Sequence, residues 1–371
     1  MKVSLPLPPG PRDDLSDVAG IRVGHATVEG GGSGCTVVLG PFRAGVEVAG
    51  HAAGSREFVT LDPAHVTRQA DAIVLSGGSA FGLATADGVM AWLEERGEGH
   101  PTHAGVVPIV PAAVIHDLAD GRRRPGPAEG RAACEDALRA EPVEPAPEAH
   151  RVGAGTGATV GKLLGMSASM PGGLGSASVR HGRWAVAALA VVNALGDVLG
   201  PNGDVVAGAR PDAGAPPVDA LAVLLDGDAA GQGADPGSDP RSEPGSGARF
   251  APGGNSTLCV VATDAPLTDT DLHRTLTLAA TALPRRISPV FTPFDGDVIF
   301  GLVPAPTGGS EPAPLPPADL LLLGAAAREA LERAILRAVG LGAGGSVATA
   351  PDPADRDAGP TPSSDPAGTT P

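Results

Sequence analysis

One serine stands where a cut in the chain would create a catalytic group. Ser256 follows the run Ala-Pro-Gly-Gly-Asn, which ends at Asn255, and it opens the apolar segment 256–263. A cut between them would leave a hydroxyl nucleophile and an α-amine base in one residue, since an α-amine titrates at about 7.7–8.0. The junction therefore indicates the chemistry of an N-terminal nucleophile hydrolase. Taken alone, Gly-Gly-Asn more commonly marks a plain turn.

Two carboxylates precede a second apolar segment. Asp295 and Asp297 are separated by one glycine and lead into the run 298–303. Residues two apart in an extended chain point to the same side, so one carboxylate could hydrogen-bond the nucleophile or its amine. Like-charge repulsion between the two would raise one pKa of the pair. A solvated Asp-Gly turn is the commoner alternative.

Two isolated polar residues lie within apolar or glycine-rich sequence. Lys162 either extends to water or donates hydrogen bonds inside a cleft. Asn193 ends the apolar run 184–193, where its amide could stabilise an oxyanion by about 2.7–4 kcal/mol. A structural lysine and a turn asparagine are the commoner explanations for such residues.

The glycine-rich segment 77–82 follows an apolar run. It lacks the Lys-Ser/Thr pair of a phosphate-binding loop, and Phe81 stands where a nucleophile elbow needs glycine. We therefore predict that Ser79 caps a helix and that Gly78 and Ser79 lie beside the cleft.

Apolar periodicity and glycine positions predict the elements that place these residues. Pro108 and Pro111 make the segment 106–115 an edge strand or an irregular lining of a cleft. Short strands alternating with Ala/Leu helices favour an α/β sandwich in which helices cover two sheets. The predicted strands are 21–27, 35–39, 45–49, 72–75, 184–193, 256–263 and 298–303, and the predicted helices are 79–96, 269–283 capped by Thr268, and 318–339.

We expect a single catalytic domain over residues 1–340. Residues 227–254 are mostly Gly, Asp, Pro, Ser and Ala and predict a flexible linker before the junction. Residues 341–371 are rich in Pro, Gly, Ser and Thr and predict a disordered tail.

Composition argues against several classes of partner. The net charge is −16, and seven Phe, two Trp and no Tyr leave little for base stacking, so we expect no nucleic acid partner. The three cysteines lack metal-ligand spacing, so we expect no metal and no cofactor.

The sequence has no signal-peptide pattern and no run of 18 apolar residues. We therefore expect a cytoplasmic protein with no membrane partner.

Five segments carry a wider resemblance: 17–25 (DVAGIRVGH), 75–83 (LSGGSAFGL), 108–113 (PIVPAA), 153–157 (GAGTG) and 255–264 (NSTLCVVATD). Together they resemble the S58 (DmpA-like) self-processing aminopeptidases. That family is of the L-aminopeptidase/D-esterase type and is related to β-peptidyl aminopeptidases and nylon-oligomer hydrolases. The resemblance extends from residue 13 to about residue 340.

This resemblance implies self-cleavage between Asn255 and Ser256, which would give an α fragment 1–255 and a β fragment 256–371. It implies an αββα sandwich of the N-terminal nucleophile hydrolase type, assembled as a homo-oligomer of αβ heterodimers. The residues it assigns are Ser256 as nucleophile, Asp295 and Asp297 as the pair that orients it, Lys162 as the cleft lysine and Asn193 as the oxyanion donor.

Two features depart from the family pattern. Relatives commonly carry threonine where this chain has Ser256, which is a mild chemical change. Several members use a tyrosine near the catalytic centre, and this chain has none. His116 is nearest to that position by local pattern, and its role as a replacement hydrogen-bond donor stays open.

The expected activity is that of an aminopeptidase acting on short peptides or on amino acid amides and esters. A nylon-type amidase of ω-amino acid oligomers fits the carboxylate pair equally well. A self-cleaving acetyltransferase of ornithine metabolism shares the architecture but needs an acyl acceptor site that the sequence does not reveal. The non-enzymatic alternative is a small-molecule binding protein that never cleaves itself.

Overall fold

The computed structural model describes residues 7–67, 69–118, 123–139, 150–212, 214–226, 254–304 and 312–341. Apart from Gly254, the predicted linker 227–254 lies outside the described residues, and so does the predicted tail 341–371 apart from Leu341. Within the described ranges, no helix combines the length and the apolar character that crossing a bilayer requires.

The described residues form short strands and helices in close alternation. In chain order, the strands are β1 Arg22–Thr27, β2 Gly34–Val48, β3 Gly54–Arg56, β4 Gln69–Ser76, β5 His100–Thr102, β6 Gly105–Val107, β7 Ala112–Val114, β8 Thr159–Val160, β9 Met170–Pro171, β10 Gly173–His181, β11 Trp184–Asn193, β12 Asp197–Leu199, β13 Val205–Ala207, β14 Ser256–Thr263, β15 Ile287–Ser288 and β16 Val298–Pro304. The α-helices are α1 Thr85–Glu94, α2 Pro127–Asp136, α3 Ala220–Leu225, α4 Asp269–Ala280, α5 Leu283–Arg286 and α6 Pro317–Arg337.

Most strands join one mixed sheet in the order β10-β11-β14-β16-β2-β4-β7-β3, with β1 paired to β2. The pairs β14–β16 and β4–β7 are parallel, and the remaining pairs of this sheet are antiparallel. Every residue of β14 is buried, as a strand covered on both faces requires. The continuous apolar runs predicted β11 and β14 with the observed bounds, and these predictions are confirmed.

Three apolar clusters show that the sheet folds into two layers. Val261 of β14 packs in a cluster with α4 and α6. Leu258, on the other face of β14, shares a cluster with Ile73 of β4. Val74, next to Ile73, faces a third cluster formed with α1 and α2. The layers therefore run helix, sheet, sheet, helix, and the predicted αββα sandwich is confirmed.

Strand β2 belongs to both layers. Its pairing with β4 shifts register between Leu39 and Phe42, where the cis Gly40–Pro41 bond lies. Its second half pairs with β16. The prediction of two separate strands at 35–39 and 45–49 is wrong, because β2 continues through this shift in pairing register as one strand.

Two other predictions are corrected. Strand β7, within the predicted edge segment 106–115, lies between β4 and β3, so the three-residue β3 takes the edge position. The predicted helix 79–96 begins as a 3-10 turn, Ser79–Ala84, before α1. Ser79 does not cap it, because Ser79 is itself the first residue of the turn with φ 54°, and no side chain caps the turn at Gly78.

The remaining helix predictions agree with the structure. Thr268 caps α4 by accepting a hydrogen bond from the Asp271 amide, as predicted. Helix α4 ends at Ala280, before the predicted residue 283, because the separate short helix α5 begins at Leu283. Helix α6 lies within the predicted range 318–339 apart from one residue at its start.

Candidate active site

Three strand ends bring the predicted site residues together. Asn193, the last residue of β11, pairs with Ser256, the first residue of β14, because the two strands are antiparallel. Strand β16 runs parallel to β14, so the residues before both strands lie at the same end of the sheet. An isolated parallel bridge joins Asn255 to Asp295 there.

Ser256 is 4% exposed, and its hydroxyl lies against the preceding peptide. Its Oγ–H donates to the Asn255 carbonyl oxygen over 2.5 Å. The Gly296 amide donates to the same oxygen over 2.9 Å. The hydroxyl thus lies beside the carbonyl that it would attack, and that carbonyl is already polarised by two donors.

Asp297 supports the strand that carries the serine. Its Oδ1 accepts the Thr257 amide over 2.6 Å, and its Oδ2 accepts the Phe291 amide over 3.3 Å. Burial and, to a smaller extent, the negative charge of Asp295 raise the pKa of Asp297 to about 7, although the amide donors oppose both effects. The carboxylate can therefore change protonation near neutral pH.

Asp295 has a different set of partners. Its Oδ2 accepts from the Thr292 amide over 3.0 Å and from the Thr292 hydroxyl over 2.6 Å. Its backbone carbonyl accepts from the amides of His51 and Ala52. These bonds hold the Asp-Gly-Asp segment in one position beside the junction.

Lys162 is 6% exposed and donates three hydrogen bonds. Its Nζ lies 2.9 Å from the Gly254 carbonyl oxygen, 2.9 Å from Asn193 Oδ1 and 3.1 Å from the Asn193 carbonyl oxygen. Burial lowers the pKa of Lys162 to about 7, and the charges of Asp295 and Asp117 partly oppose that shift. The lysine therefore lies in the cleft and does not extend to water.

Asn193 is fully buried and bonded on both sides of its amide. Its Oδ1 accepts the Thr159 amide, and its Nδ2 donates to the carbonyl oxygens of Gly254, over 3.2 Å, and His116, over 3.3 Å. In this uncut chain the side chain holds the peptide one residue upstream of the junction. Its predicted oxyanion role therefore stays a prediction for the cleaved protein.

The other predicted cleft residues border this group through their backbone. The His116 carbonyl oxygen accepts a hydrogen bond from Asn193 Nδ2, and residue His116 is exposed. The predicted role of its side chain as a hydrogen-bond donor stays a prediction. The Gly78 amide donates to Asp117 Oδ1 over 2.6 Å, and the Ser79 amide donates to the Ile115 carbonyl. Burial raises the pKa of Asp117.

Three groups that hydrogen-bond within this site were not predicted from the sequence: the Gly296 amide, the Gly254 carbonyl and the Asp117 carboxylate. The first two are backbone groups, and the type of residue that carries a backbone group does not indicate its role. The one available signal was the position of Gly296 between two carboxylates. Among the residues that the structure describes, no group of three or more His, Cys, Asp or Glu side chains could hold a metal ion.

Comparison with known proteins decides the family. The sequence model of peptidase family S58 matches residues 13–346. This chain belongs to that family. An uncharacterized aminopeptidase of Mycobacterium bovis is 39% identical over 352 residues, which cover 88% of this chain and 93% of the relative. A 6-aminohexanoate-oligomer endohydrolase of Kocuria sp. is 28% identical over 337 residues, with coverage of 87% and 84%. This family member is therefore a hydrolase of the serine peptidase type.

Solved structures agree with the fold. A β-aminopeptidase from Burkholderia sp. aligns with a TM-score of 0.63 at 21% identity, covering 92% of this chain and 89% of the other. The L-aminopeptidase D-Ala-esterase/amidase from Ochrobactrum anthropi, described as a variant of the Ntn hydrolase fold, aligns with a TM-score of 0.62 at 20% identity, with coverage of 90% and 88%. This chain therefore has the fold of N-terminal nucleophile hydrolases.

Proposed function

We propose that the chain cleaves itself between Asn255 and Ser256 and that the freed Ser256 is the nucleophile of an aminopeptidase. The contact that carries this proposal is the 2.5 Å hydrogen bond from Ser256 Oγ to the Asn255 carbonyl oxygen. It places the nucleophile directly against the peptide that would be cut. Ser256 is also the first residue of buried β14, which would retain the new terminus.

Self-cleavage would proceed as an acyl transfer followed by hydrolysis. Ser256 Oγ attacks the Asn255 carbonyl carbon, and its proton passes to the Ser256 amide nitrogen as the carbon–nitrogen bond breaks. The resulting ester between Asn255 and Ser256 Oγ takes up one water. The products are the Asn255 carboxylate, the free serine hydroxyl and a free α-amine on Ser256.

The cleaved site would act on substrate with the same atoms. The Ser256 α-amine serves as the base, because an α-amine titrates at about 7.7–8.0. If the α-fragment end moves away, Lys162 Nζ and Asn193 Nδ2 lose the Gly254 carbonyl and can receive a substrate carbonyl. Substrate acylates Ser256, and water then releases the acyl group.

The proposed substrates are short peptides and amino acid amides or esters. Amides of ω-amino acid oligomers are the second candidate, favoured by the similarity to the 6-aminohexanoate-oligomer endohydrolase. A panel of α-aminoacyl p-nitroanilides, β-amino amides and 6-aminohexanoate oligomers separates the two. We further propose a cytoplasmic homo-oligomer of αβ heterodimers, which cell fractionation and light scattering would test.

Denaturing gels and intact mass test self-cleavage. The wild-type chain should give a fragment that begins at Ser256, and Ser256→Ala should remain whole. Ser178→Ala is the matched control, because it removes another buried hydroxyl of the same sheet and should be cut normally. A wild-type chain that stays whole and inactive would favour the non-enzymatic binding protein.

A further inference from the structure

The Asn255 carbonyl has a donor that is independent of every side chain predicted to be catalytic. The Gly296 amide lies 2.9 Å from this oxygen, and the bridge between Asn255 and Asp295 sets that geometry. Attack by Ser256 Oγ would turn this same oxygen into an oxyanion. A backbone N–H within 2.7–3.1 Å of a developing oxyanion has the geometry of an oxyanion donor.

Glycine is needed at position 296 for steric reasons. A Cβ there would meet Ser256 Oγ at 2.7 Å, the Ala52 carbonyl oxygen at 2.8 Å and Ala53 Cα at 2.9 Å. Two of these three neighbours are backbone atoms that cannot rotate away. The absence of a side chain therefore lets the amide approach the scissile carbonyl and leaves room for the attacking hydroxyl.

Hydrogen bonds on both sides hold the Gly296 amide in place. The Asp295 carbonyl accepts from the His51 amide over 2.7 Å and from the Ala52 amide over 2.9 Å. The Asp297 carbonyl accepts from the Ala49 and Gly50 amides, each over 3.0 Å. An amide fixed in this way needs little reorganisation when charge develops on its partner.

We infer that the Gly296 amide is the group that stabilises the oxyanion during self-cleavage, an inference that rests on the proposed function. When the Ser256 Oγ–carbon bond forms, the carbonyl electron pair moves onto the Asn255 oxygen, which Gly296 N–H faces. When the pair returns, the bond to the Ser256 nitrogen breaks and that nitrogen receives the hydroxyl proton. Gly296 N–H gives up no proton and serves only as a donor.

Lys162 and Asn193 then have a different task in the same step. Both donate to the Gly254 carbonyl, which does not react when the junction is cut. They hold the upstream peptide in position, while Gly296 faces the carbonyl that changes charge. Self-cleavage and substrate turnover would accordingly use different oxyanion donors, while Lys162 and Asn193 position the peptide during self-cleavage.

A single-atom change tests the assignment. Cell-free translation with glycolic acid at position 296 replaces the Gly296 N–H by an ester oxygen and adds no side chain. We expect this ester to slow self-cleavage by about 10²- to 10³-fold, the effect of losing one oxyanion donor. Glycolic acid at position 130 is the matched control, because it removes a backbone hydrogen bond of α2, from the Gly130 amide to the Gly126 carbonyl, and touches neither Asn255 nor the Asp295–Asp297 segment. Cleavage is followed as the fraction of cut chain on a denaturing gel over time.

The outcomes are distinguishable. Slow cleavage of the position-296 ester together with near-normal cleavage of the position-130 ester supports the inference. Equal rates for both esters overturn the inference and leave the proposed function intact. A wild-type chain that is never cut overturns both.

A second pair of variants does not depend on the ester. Gly296→Ala keeps the amide but places a methyl group against Ser256 Oγ, and we expect cleavage to slow by at least tenfold. Gly126→Ala is its control, because the nearest atom to a Cβ there is a flexible Glu129 oxygen at 3.8 Å. Normal cleavage of Gly296→Ala would contradict the close approach on which the inference depends.

Discussion

Replacing Lys162 by methionine tests what its buried ammonium group contributes to the proposed self-cleavage. Methionine has nearly the same length and fills the same space but cannot donate hydrogen bonds. The change removes the bond to Gly254, together with the two bonds to Asn193. The Gly254 carbonyl keeps its bond from Asn193 Nδ2.

The expected loss of rate follows from the strength of one charge-assisted hydrogen bond. Such a bond contributes about 1.5–3 kcal/mol, and about 1.4 kcal/mol corresponds to tenfold in rate. If the bond to Gly254 holds the junction in its reactive position, Lys162→Met should cleave about 10- to 100-fold more slowly than wild type. Lys162→Arg keeps the positive charge but changes the shape of the donor, so its self-cleavage should be slowed less than that of Lys162→Met.

Stability should change little, because two large effects oppose each other. Burial lowers the pKa of Lys162 from 10.5 to about 7, so retaining the lysine costs about 5 kcal/mol at low pH. Methionine removes that cost but also removes three charge-assisted hydrogen bonds, at about 1.5–3 kcal/mol each. Between about pH 7 and 10.5 the unfolded chain holds the extra proton, so wild-type stability should rise relative to Lys162→Met as pH increases.

A pulse-chase in cell-free translation measures the half-life of the uncut chain, and urea unfolding of the products measures stability. Arg43→Met is the control, because it removes a cation that pairs with Asp269 away from the junction. Cleavage of Lys162→Met within twofold of the wild-type rate would refute this reasoning. The reasoning would also be refuted if Lys162→Met unfolds at a much lower urea concentration than wild type, because the slow cleavage would then reflect lost stability.

Three further variants test protonation and stability. Asp297→Asn should slow self-cleavage and remove a decline in the wild-type rate below about pH 7, since the carboxylate that holds the Thr257 amide is protonated there; an unchanged pH profile would refute this role. The same variant should unfold at a higher urea concentration than wild type at pH 8, because the folded pKa is raised and the charged form is therefore the destabilised one. Glu332→Gln should lose about 3 kcal/mol in urea unfolding, because it removes a buried carboxylate and leaves the partly buried Arg286 cation without its charged partner; a loss below about 1 kcal/mol would contradict it. Thr268→Ala should lose about 1 kcal/mol by removing the cap of α4, and Thr268→Ser should restore most of it.

The sequence is most informative where an apolar run ends sharply at a polar residue. Strand β11 ends at Asn193 and strand β14 begins at Ser256, and both bounds follow from such runs. That these two residues lie opposite each other depends on the pairing register, which is set by the whole sheet. The local sequence pattern therefore identifies Asn193 and Ser256 as candidates, and the β11–β14 pairing register brings them together.

Backbone groups are where sequence reasoning failed. Gly296 looks like an ordinary turn glycine, and its amide matters only because Asn255 pairs beside it. Ser79 has a good capping side chain, but the 3-10 turn begins at Ser79 itself with φ 54°, so its hydroxyl caps no helix. Likewise, the predicted break between strands 35–39 and 45–49 is absent, because pairing with β4 and then with β16 continues β2 past Gly40–Pro41. These outcomes depend on long-range pairing, which propensity does not encode.

Intact-mass spectrometry of the purified wild-type chain, with sequencing of its N-termini, tests the central proposal most directly. We expect two polypeptides, one of which begins with Ser256 and follows a break after Asn255. A single species at the full 36.4 kDa, with no terminus at Ser256 after prolonged incubation at neutral pH, would contradict it.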